Sequence, residues 1–260
     1  MVSWNVNSLG PRMPRVLELI EAHRPDLLFL QETKTAPDAF PELELNAAGY
    51  QAIHHSGGRW AGVALAAREA LDLADVCIGL AGEPSVDEAR WIEASVGGMR
   101  AVAVYVPNGR VVGSPFYEDK LRFLEAAAER VRELADGPLV VAGDFNVCAS
   151  DLDVYDPAAF IGSTHVTDAE RERFRALLDA GTVDAFRSLH PNEPGFTWWD
   201  YRAGHFHKKM GLRIDAFLLS QPVAERLRSC GIDRSLRKGP KPSDHAPLLA
   251  ELSDKEQADG

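Results

Sequence analysis

Six short apolar runs, each with polar residues at one end, restrict the fold more than any other feature of this sequence. Short apolar runs bounded by turn residues are typical of buried β-strands. In four runs the polar residues follow the apolar stretch, and in the other two they precede it. If the two kinds of strand are antiparallel, all these polar groups lie at one edge of a sheet. The expected constellation comprises Asn5, Glu32, Tyr105, Asp144, Asn146, Asp215, Asp244 and His245.

The segment Gly143–Asn146 illustrates the chemistry of such an edge. Asp144 and Asn146 follow the run Leu139–Ala142 at positions i and i+2, so their side chains point to the same face. Taken alone, Asp and Asn after a strand are more often turn residues that bond to their own backbone. A cluster drawn from six segments is hard to explain by turn chemistry. We therefore expect a functional site at this edge.

Length and composition indicate an ordinary globular protein, with 45% hydrophobic and 26% charged residues in a chain of 260. We expect one domain over residues 1–253 and a polar tail over residues 254–260. Helical patterns at residues 14–23, 116–134 and 167–181 alternate with strands and favour layered α/β with largely antiparallel sheets. No apolar run reaches the length of a membrane span, and the three separated cysteines suit a reducing compartment. The expected location is the cytoplasm, without membrane binding.

The charge is unevenly distributed along the chain. The net charge is -11, yet residues 202–245 contain ten Lys or Arg against four Asp or Glu. Arg234, Arg237, Lys238 and Lys241 fall within one short segment of that region. Two interpretations stay open, a solvated basic face or a rim that contacts phosphates beside the site.

In chain order, the polar segments resemble motifs of the exonuclease III family of abasic-site DNA endonucleases: Trp4–Ser8, Leu30–Lys34, Tyr105–Gly109, Gly143–Asn146, Arg213–Asp215 and Ser243–His245. Gln31–Lys34 is the most family-specific segment. Gly143–Asn146 and Ser243–His245 are shared with a wider superfamily of DNase I-like nucleases, sphingomyelinases and inositol phosphatases. The resemblance implies a DNase I-like four-layer α/β sandwich, in which helices flank two packed, mostly antiparallel β-sheets.

The resemblance also implies a metal-dependent phosphodiester hydrolase, with Mg²⁺ or Mn²⁺ as the expected cofactor. Glu32 is the expected metal ligand, while Asn5 and Asp244 would hold waters around the ion or orient Glu32. Asp144 would orient and deprotonate the attacking water, and Asn146 would bond to the phosphate or to that water. The complete set of candidate metal-site residues is Asn5, Glu32, Asp144, Asn146, Asp244 and His245.

Asp215 and His245 resemble a buried acid–imidazole pair, for which two roles stay open. As an imidazolium, His245 would donate a charge-assisted hydrogen bond to the phosphate. As a neutral imidazole, it would be the general base in place of Asp144. Tyr105 is a further candidate donor to the phosphate, although a tyrosine at a strand end is otherwise ordinary core.

Two groups of residues are expected to contact the substrate. Polar side chains in the loop before the second helix would bind backbone phosphates, with Lys120 a weaker candidate because helix lysines are usually exposed. By resemblance, apolar side chains in residues 196–199 and 212–214 would line a pocket for a flipped-out, base-free deoxyribose. For adjacent tryptophans the alternative is core packing. The candidates are Asn108, Arg110, Trp198, Leu212 and Ile214.

The sequence therefore predicts a DNA repair nuclease that cleaves on the 5′ side of abasic sites and also acts on 3′ ends. The expected partner is double-stranded DNA with abasic sites or 3′ ends, bound by a monomer associated with the nucleoid. Two alternatives are another phosphodiesterase of the superfamily, acting on lipid or inositol phosphates, and a non-catalytic DNA-binding module. The fold alone does not separate these functions.

Overall fold

The computed structural model describes residues 1–254, so most of the expected polar tail lies outside the described residues. Within this range the strands are β1 (Val2–Asn5), β2 (Leu27–Gln31), β3 (Tyr50–His55), β4 (Val63–Arg68), β5 (Ala74–Ile78), β6 (Trp91–Val96), β7 (Met99–Tyr105), β8 (Leu139–Asp144), β9 (Thr182–Asp184), β10 (Asp215–Ser220), β11 (Leu227–Ile232) and β12 (Leu248–Leu252). The α-helices are α1 (Leu9–His23), α2 (Glu42–Ala47), α3 (Pro115–Leu134), α4 (Asp168–Asp179), α5 (Ala185–Leu189) and α6 (Gln221–Ala224).

The strands form two six-stranded sheets. Sheet A has the order β11-β12-β1-β2-β4-β3, and sheet B has the order β5-β6-β7-β8-β10-β9. Among the paired strands of residues 1–254, β1–β2 and β7–β8 are parallel and the other neighbours are antiparallel. The prediction of largely antiparallel sheets is therefore confirmed.

Alternation along the strands divides the apolar residues between the layers. In β2, Leu27 and Phe29 belong to the cluster between the two sheets, whereas Leu28 and Leu30 pack under α1. Strands β7 and β8 alternate in the same way, with their outer residues packed under α3 and α4. Helices thus cover both outer faces, and the predicted four-layer sandwich is confirmed.

Helix boundaries differ from the predictions where a proline is involved. Helix α1 begins at Leu9 rather than at Pro14, because buried Leu9 and Met13 extend its apolar face by more than one turn. Pro14 lies inside the helix, where it lacks one backbone donor. Helix α4 begins as predicted, with a capping box between Thr167 and Glu170.

The polar strand ends meet at one edge of the molecule, but two sheets build that edge rather than one. In sheet B, the register places Asp144 beside both Tyr105 and Asp215. In sheet A, Asn5 ends β1, and its side chain bonds across to Asp144 at 2.9 Å. Among the described residues, no helix combines the length and apolar character that crossing a bilayer requires.

Candidate active site

Asp144 lies at the centre of the site, at the end of β8, and is 1% exposed. Its Oδ2 accepts a hydrogen bond from Asn5 Nδ2 at 2.9 Å and lies 3.7 Å from His245 Nε2. Its Oδ1 accepts from the backbone N–H of Asn146 at 2.9 Å. Burial, followed by the like charge of Asp215, raises the pKa of Asp144 to about 8. Asp144 therefore carries its proton for most of the time at pH 7 and becomes a base once it is ionised.

Gly143 explains how β8 brings Asp144 so close to β7. A Cβ added to Gly143 would lie 1.9 Å from the carbonyl oxygen of Val104 in the neighbouring strand. Any other residue would force the two parallel strands apart. The glycine that precedes the catalytic carboxylate is therefore required by strand spacing.

His245 and Asp215 form the buried pair that the sequence predicts. His245 Nδ1 lies 2.8 Å from Asp215 Oδ2, and both residues are at most 3% exposed. Burial alone would lower the pKa of His245, but Asp215 raises it to about 10, and the nearby Asp144 acts in the same direction. His245 is therefore an imidazolium at neutral pH, which favours its role as a donor over its role as a base.

Glu32 joins this centre through Asn5. Asn5 Nδ2 donates to Glu32 Oε1 at 2.8 Å as well as to Asp144, so one amide bridges the two carboxylates. The other Glu32 oxygen pairs with Lys34 Nζ at 2.6 Å. Ligand atoms of Glu32, Asp144 and His245 lie within 4.8 Å of one another, which is close enough to share one ion.

Asn7 and Lys34 belong to the site, and sequence reasoning missed both. Asn7 Oδ1 accepts from Lys34 Nζ at 2.7 Å, and Asn7 Nδ2 donates to Asp244 Oδ1 at 3.0 Å. The other Asp244 oxygen accepts from Trp198 Nε1 at 3.0 Å, so Asp244 has both oxygens engaged by protein groups. Asn7 follows Asn5 at i+2. The same i, i+2 spacing was used to pair Asp144 with Asn146, and it would also have identified Asn7.

Tyr105 closes the site on the side of β7. It is 8% exposed, and the guanidinium of Arg90 lies 4.7 Å from its ring centroid. Burial, followed by the charge of Glu32, raises the pKa of Tyr105 well above its ordinary value. The hydroxyl therefore stays protonated and can act as a hydrogen-bond donor.

Asn146 and its neighbours form the opposite wall. Asn146 Nδ2 donates to the Val106 carbonyl at 2.9 Å, and its Oδ1 accepts from Asn108 Nδ2 at 3.3 Å. His165, which sequence reasoning also missed, lies 2.6 Å from the Asn146 carbonyl oxygen through Nδ1 and 3.4 Å from Asn108 Nδ2 through Nε2. Burial, followed by the charge of Lys120, lowers the pKa of His165 to about 4, so its ring is neutral. No sequence pattern marks His165, because its position depends on how its loop folds back.

Two of the predicted phosphate contacts differ sharply in exposure. Arg110 is exposed, and its guanidinium carbon lies 3.6 Å from the ring centroid of Phe116. It borders a groove of about 330 Å³ that extends from Glu32 and Tyr105. Lys120, by contrast, is fully buried, so its interpretation as a phosphate contact is wrong.

The apolar candidates pack into one small cluster beside His245. Leu212 and Ile214 are buried, and Trp198 packs against them while staying partly exposed. Trp199 is core, at 1% exposure. Side chains of the segment 160–166 also pack against this cluster. Of the candidates for a deoxyribose pocket, Trp198 therefore presents the most surface.

The basic segment before Asp244 is only partly available to a ligand. Arg237 is 7% exposed, donates to the Trp199 carbonyl at 3.3 Å and stacks 5.0 Å from the Phe206 ring centroid. Burial lowers its pKa. Arg234, Lys238 and Lys241 are exposed, so the phosphate rim stays a prediction for these three residues and not for Arg237.

A buried carboxylate and a partly exposed one, bridged by an amide and faced by an imidazolium and a tyrosine hydroxyl, define a hydrolase centre suited to phosphate esters. The chain matches the Endonuclease/Exonuclease/phosphatase family over residues 2–245. It belongs to that family and, within it, to the nucleases related to exodeoxyribonuclease III, which confirms the resemblance found in the sequence.

Individual relatives match over nearly the whole chain. Exodeoxyribonuclease III of Haemophilus influenzae is 32% identical, covering 96% of this chain and 98% of the relative. Among solved structures, the 3′ phosphatase NExo from Neisseria bound to product DNA hairpin has a TM-score of 0.94 at 38% identity, covering 97% of this chain and 98% of the other. An AP endonuclease from Archaeoglobus fulgidus has a TM-score of 0.93 at 34% identity, covering 97% and 98%.

Proposed function

We propose that this protein is a metal-dependent DNA repair nuclease that hydrolyses the phosphodiester 5′ to abasic sites and also processes 3′ ends. The observation that carries the proposal is the position of Asp144, which shares one amide with Glu32 and faces the imidazolium of His245. This arrangement supports in-line attack of water on a phosphate ester. The relatives named exodeoxyribonuclease and DNA repair nuclease support DNA as the substrate over lipid or inositol phosphates.

The residues fit a hard divalent cation. Carboxylate oxygens are the ligands that Mg²⁺ and Mn²⁺ prefer, and Mg²⁺ uses few protein ligands. Glu32 and Asp144 would hold the ion, and Asn5 would orient both carboxylates through its amide. Asp244 would act on Glu32 through Asn7 and Lys34. When bound, the ion would neutralise developing charge on the phosphate oxygens.

The side chains of the site have separate roles in the reaction. Asp144 accepts the proton of the attacking water in its ionised form, and Asn146 orients the phosphate or that water. His245 donates a charge-assisted hydrogen bond to a phosphate oxygen, since its proton is retained well above neutral pH. An imidazolium is a poor metal ligand, so we assign His245 to the phosphate. Tyr105 supplies a second donor.

A second candidate function, an enzyme confined to 3′ ends, is favoured by specific observations. The His165 ring lies against Asn108 and Asn146, at the wall where the substrate would enter. Leu212 and Ile214 are covered by their neighbours rather than open to a sugar. The 3′ phosphatase from Neisseria also has higher identity to this chain than the archaeal AP endonuclease.

One assay separates these functions. Three labelled duplexes, with an abasic-site analogue, a recessed 3′ end or a 3′-phosphate, are incubated with Mg²⁺ or with EDTA. We expect metal-dependent cleavage by the wild type and a loss of about 10²–10⁴-fold in kcat for Asp144→Asn, with DNA affinity within about tenfold. Asp136→Asn, an exposed aspartate outside the site, is the matched control. Cleavage in EDTA, or normal turnover by Asp144→Asn, would refute the proposal, and processing of 3′ ends alone would favour the second candidate.

We also infer the domain organisation, the oligomeric state and the DNA partner of this protein. One domain over residues 1–253 is supported by the shared cluster between the sheets, which contains Phe29 from sheet A and Phe217 from sheet B. A monomer bound to double-stranded DNA in the nucleoid accords with the exposed Lys238 and Lys241 near the site. Sedimentation with and without a DNA duplex tests both the oligomeric state and the partner.

A further inference from the structure

Lys120 is a fully buried lysine on α3 that takes no part in the mechanism described above. Its Nζ donates to the backbone carbonyl of Asn146 at 2.6 Å. The same ammonium bonds to the Glu170 carboxylate and lies 3.4 Å from the Asn108 carbonyl oxygen. It also lies 3.3 Å from Thr164 Oγ1. A single ammonium therefore connects three loops that border the active site.

Glu170, the carboxylate partner of Lys120, bonds to the same loops. One carboxylate oxygen accepts from Thr164 Oγ1 at 2.7 Å and from the backbone N–H of His165 at 2.9 Å, besides its bond to Lys120. The other oxygen accepts from the backbone N–H and hydroxyl of Thr167, which caps α4. Burial alone would raise the pKa of Glu170, but the charge of Lys120 lowers it, which favours the carboxylate. Burial lowers the pKa of Lys120, and the charge of Glu170 opposes that change.

The backbone at Asn146 needs such support. Asn146 has a left-handed conformation with φ of 52°, which is uncommon for a residue other than glycine. Its N–H bonds to Asp144, its side chain bonds to Val106 and Asn108, and its carbonyl points back to Lys120. His165 Nδ1 also lies 2.6 Å from this carbonyl oxygen, so losing Lys120 would leave His165 as its remaining partner. We expect this weaker restraint to let the peptide tilt and to change the direction of the Asn146 amide.

We propose that Lys120, held by Glu170, is a positioning residue that fixes the Asn146 backbone and thereby aims the Asn146 amide and the Asp144 carboxylate at the reacting phosphate. The inference rests on the proposed nuclease function. A buried charge of this kind is costly unless fully paired, and the four partners of Lys120 supply that pairing in the loops that the chemistry uses.

The experiment uses the double variant Lys120→Met/Glu170→Gln, which removes both charges at nearly constant volume and leaves neither charge unpaired. Glu93→Gln is the matched control, because Glu93 is equally buried and pairs with Arg100 and Arg130 on strands and a helix away from the loops. Melting temperature, kcat and KM are measured on the recessed 3′ end and on the abasic duplex. We expect kcat of the double variant to fall at least tenfold with KM within about threefold, whereas Glu93→Gln loses stability but keeps kcat.

Combination with Asn146→Ala distinguishes positioning from general weakening. If Lys120 acts through Asn146, the double variant should cause little further loss of kcat in the Asn146→Ala background. The loss of stability caused by Glu93→Gln should instead add to that of Asn146→Ala. Full additivity, or an unchanged kcat in the double variant, would overturn the proposal. If the double variant does not fold, Thr164→Val removes the hydroxyl that accepts from Lys120 and donates its one proton to Glu170 or Asn108. This variant leaves both charges in place, and a kcat equal to wild type then overturns the proposal. Absence of cleavage by wild type on every duplex would instead refute the nuclease function itself.

Discussion

Replacing Gly143 by alanine should disable the site by moving strands rather than by removing any functional group. The new Cβ would lie 1.9 Å from the Val104 carbonyl oxygen, whereas carbon–oxygen contacts normally lie at roughly 3.3 Å or more. Strands β7 and β8 must therefore separate locally by more than about 1 Å. Tyr105 and Asp144 sit one residue further along these strands, so the displacement reaches the reacting groups directly.

The expected magnitudes follow from that displacement. Misplacing catalytic groups by about 1 Å costs on the order of 10²-fold in rate, and forcing extra volume into packed structure costs about 1–3 kcal/mol of stability. Urea unfolding followed by tryptophan fluorescence gives the stability loss, and kcat is measured where the variant is fully folded.

Gly10→Ala provides the matched control. No atom lies within 4 Å of the added Cβ in α1, and alanine suits a helix better than glycine by about 0.5–1 kcal/mol. This control should therefore be slightly stabilised with unchanged kcat. A folded Gly143→Ala enzyme whose kcat stays within twofold of wild type would show that strand spacing does not set the geometry of the site.

Four further outcomes are expected. Glu32→Gln should weaken metal affinity and lower turnover by orders of magnitude at limiting Mg²⁺; calorimetric Mg²⁺ binding equal to wild type would remove Glu32 from this role. Because the pKa of Asp144 is about 8 without an ion, kcat/KM should increase with pH as Asp144 loses its proton. The midpoint of this increase should move to lower pH as the Mg²⁺ concentration rises, since a cation favours the carboxylate. A midpoint that does not move would exclude Asp144 as the titrating group. Trp198→Ala should reduce cleavage at abasic sites more than digestion of a plain 3′ end. Equal losses of both activities, together with a large drop in melting temperature, would show that Trp198 only packs in the core. Replacing Lys238 and Lys241 together by alanine should flatten the dependence of log K on log salt by up to about two phosphate equivalents, and an unchanged slope would make them a solvated face.

The arrangement of the catalytic residues was predictable because it depends on local periodicity and strand direction. Asp144 and Asn146 were assigned to one face by their i, i+2 spacing, and the structure places Asp144 beside the His245–Asp215 pair. Asn146 lies beyond the end of β8 in a left-handed conformation, so strand alternation does not determine its direction. The relative direction of strands followed from whether polar residues precede or follow each apolar run. The sequence did not show that two sheets share the edge, because a run of apolar residues carries no information about which sheet it joins.

The residues that were misjudged depend on contacts between distant segments. Lys120 fits the pattern of a solvated helix residue, yet Glu170, 50 positions away, provides the partner that makes its burial possible. Arg237 similarly belongs to a basic run but is removed from solvent by Phe206 and Tyr201. Such burial of charge is decided by loop packing, which hydrophobic periodicity does not encode.

The balance of charge in the site links the metal to the general base. The carboxylates of Glu32, Asp144, Asp215 and Asp244 outnumber the cations, since Lys34 and His245 supply the positive charges that face them. Without an ion, this excess is relieved by protonating Asp144, which accords with its raised pKa. A divalent cation would relieve the same excess and would release the proton from the group that must accept one from water. Cation binding and loss of the Asp144 proton then favour each other to the same extent. Binding of the ion would therefore prepare the site both to bind a phosphate and to accept a proton from water.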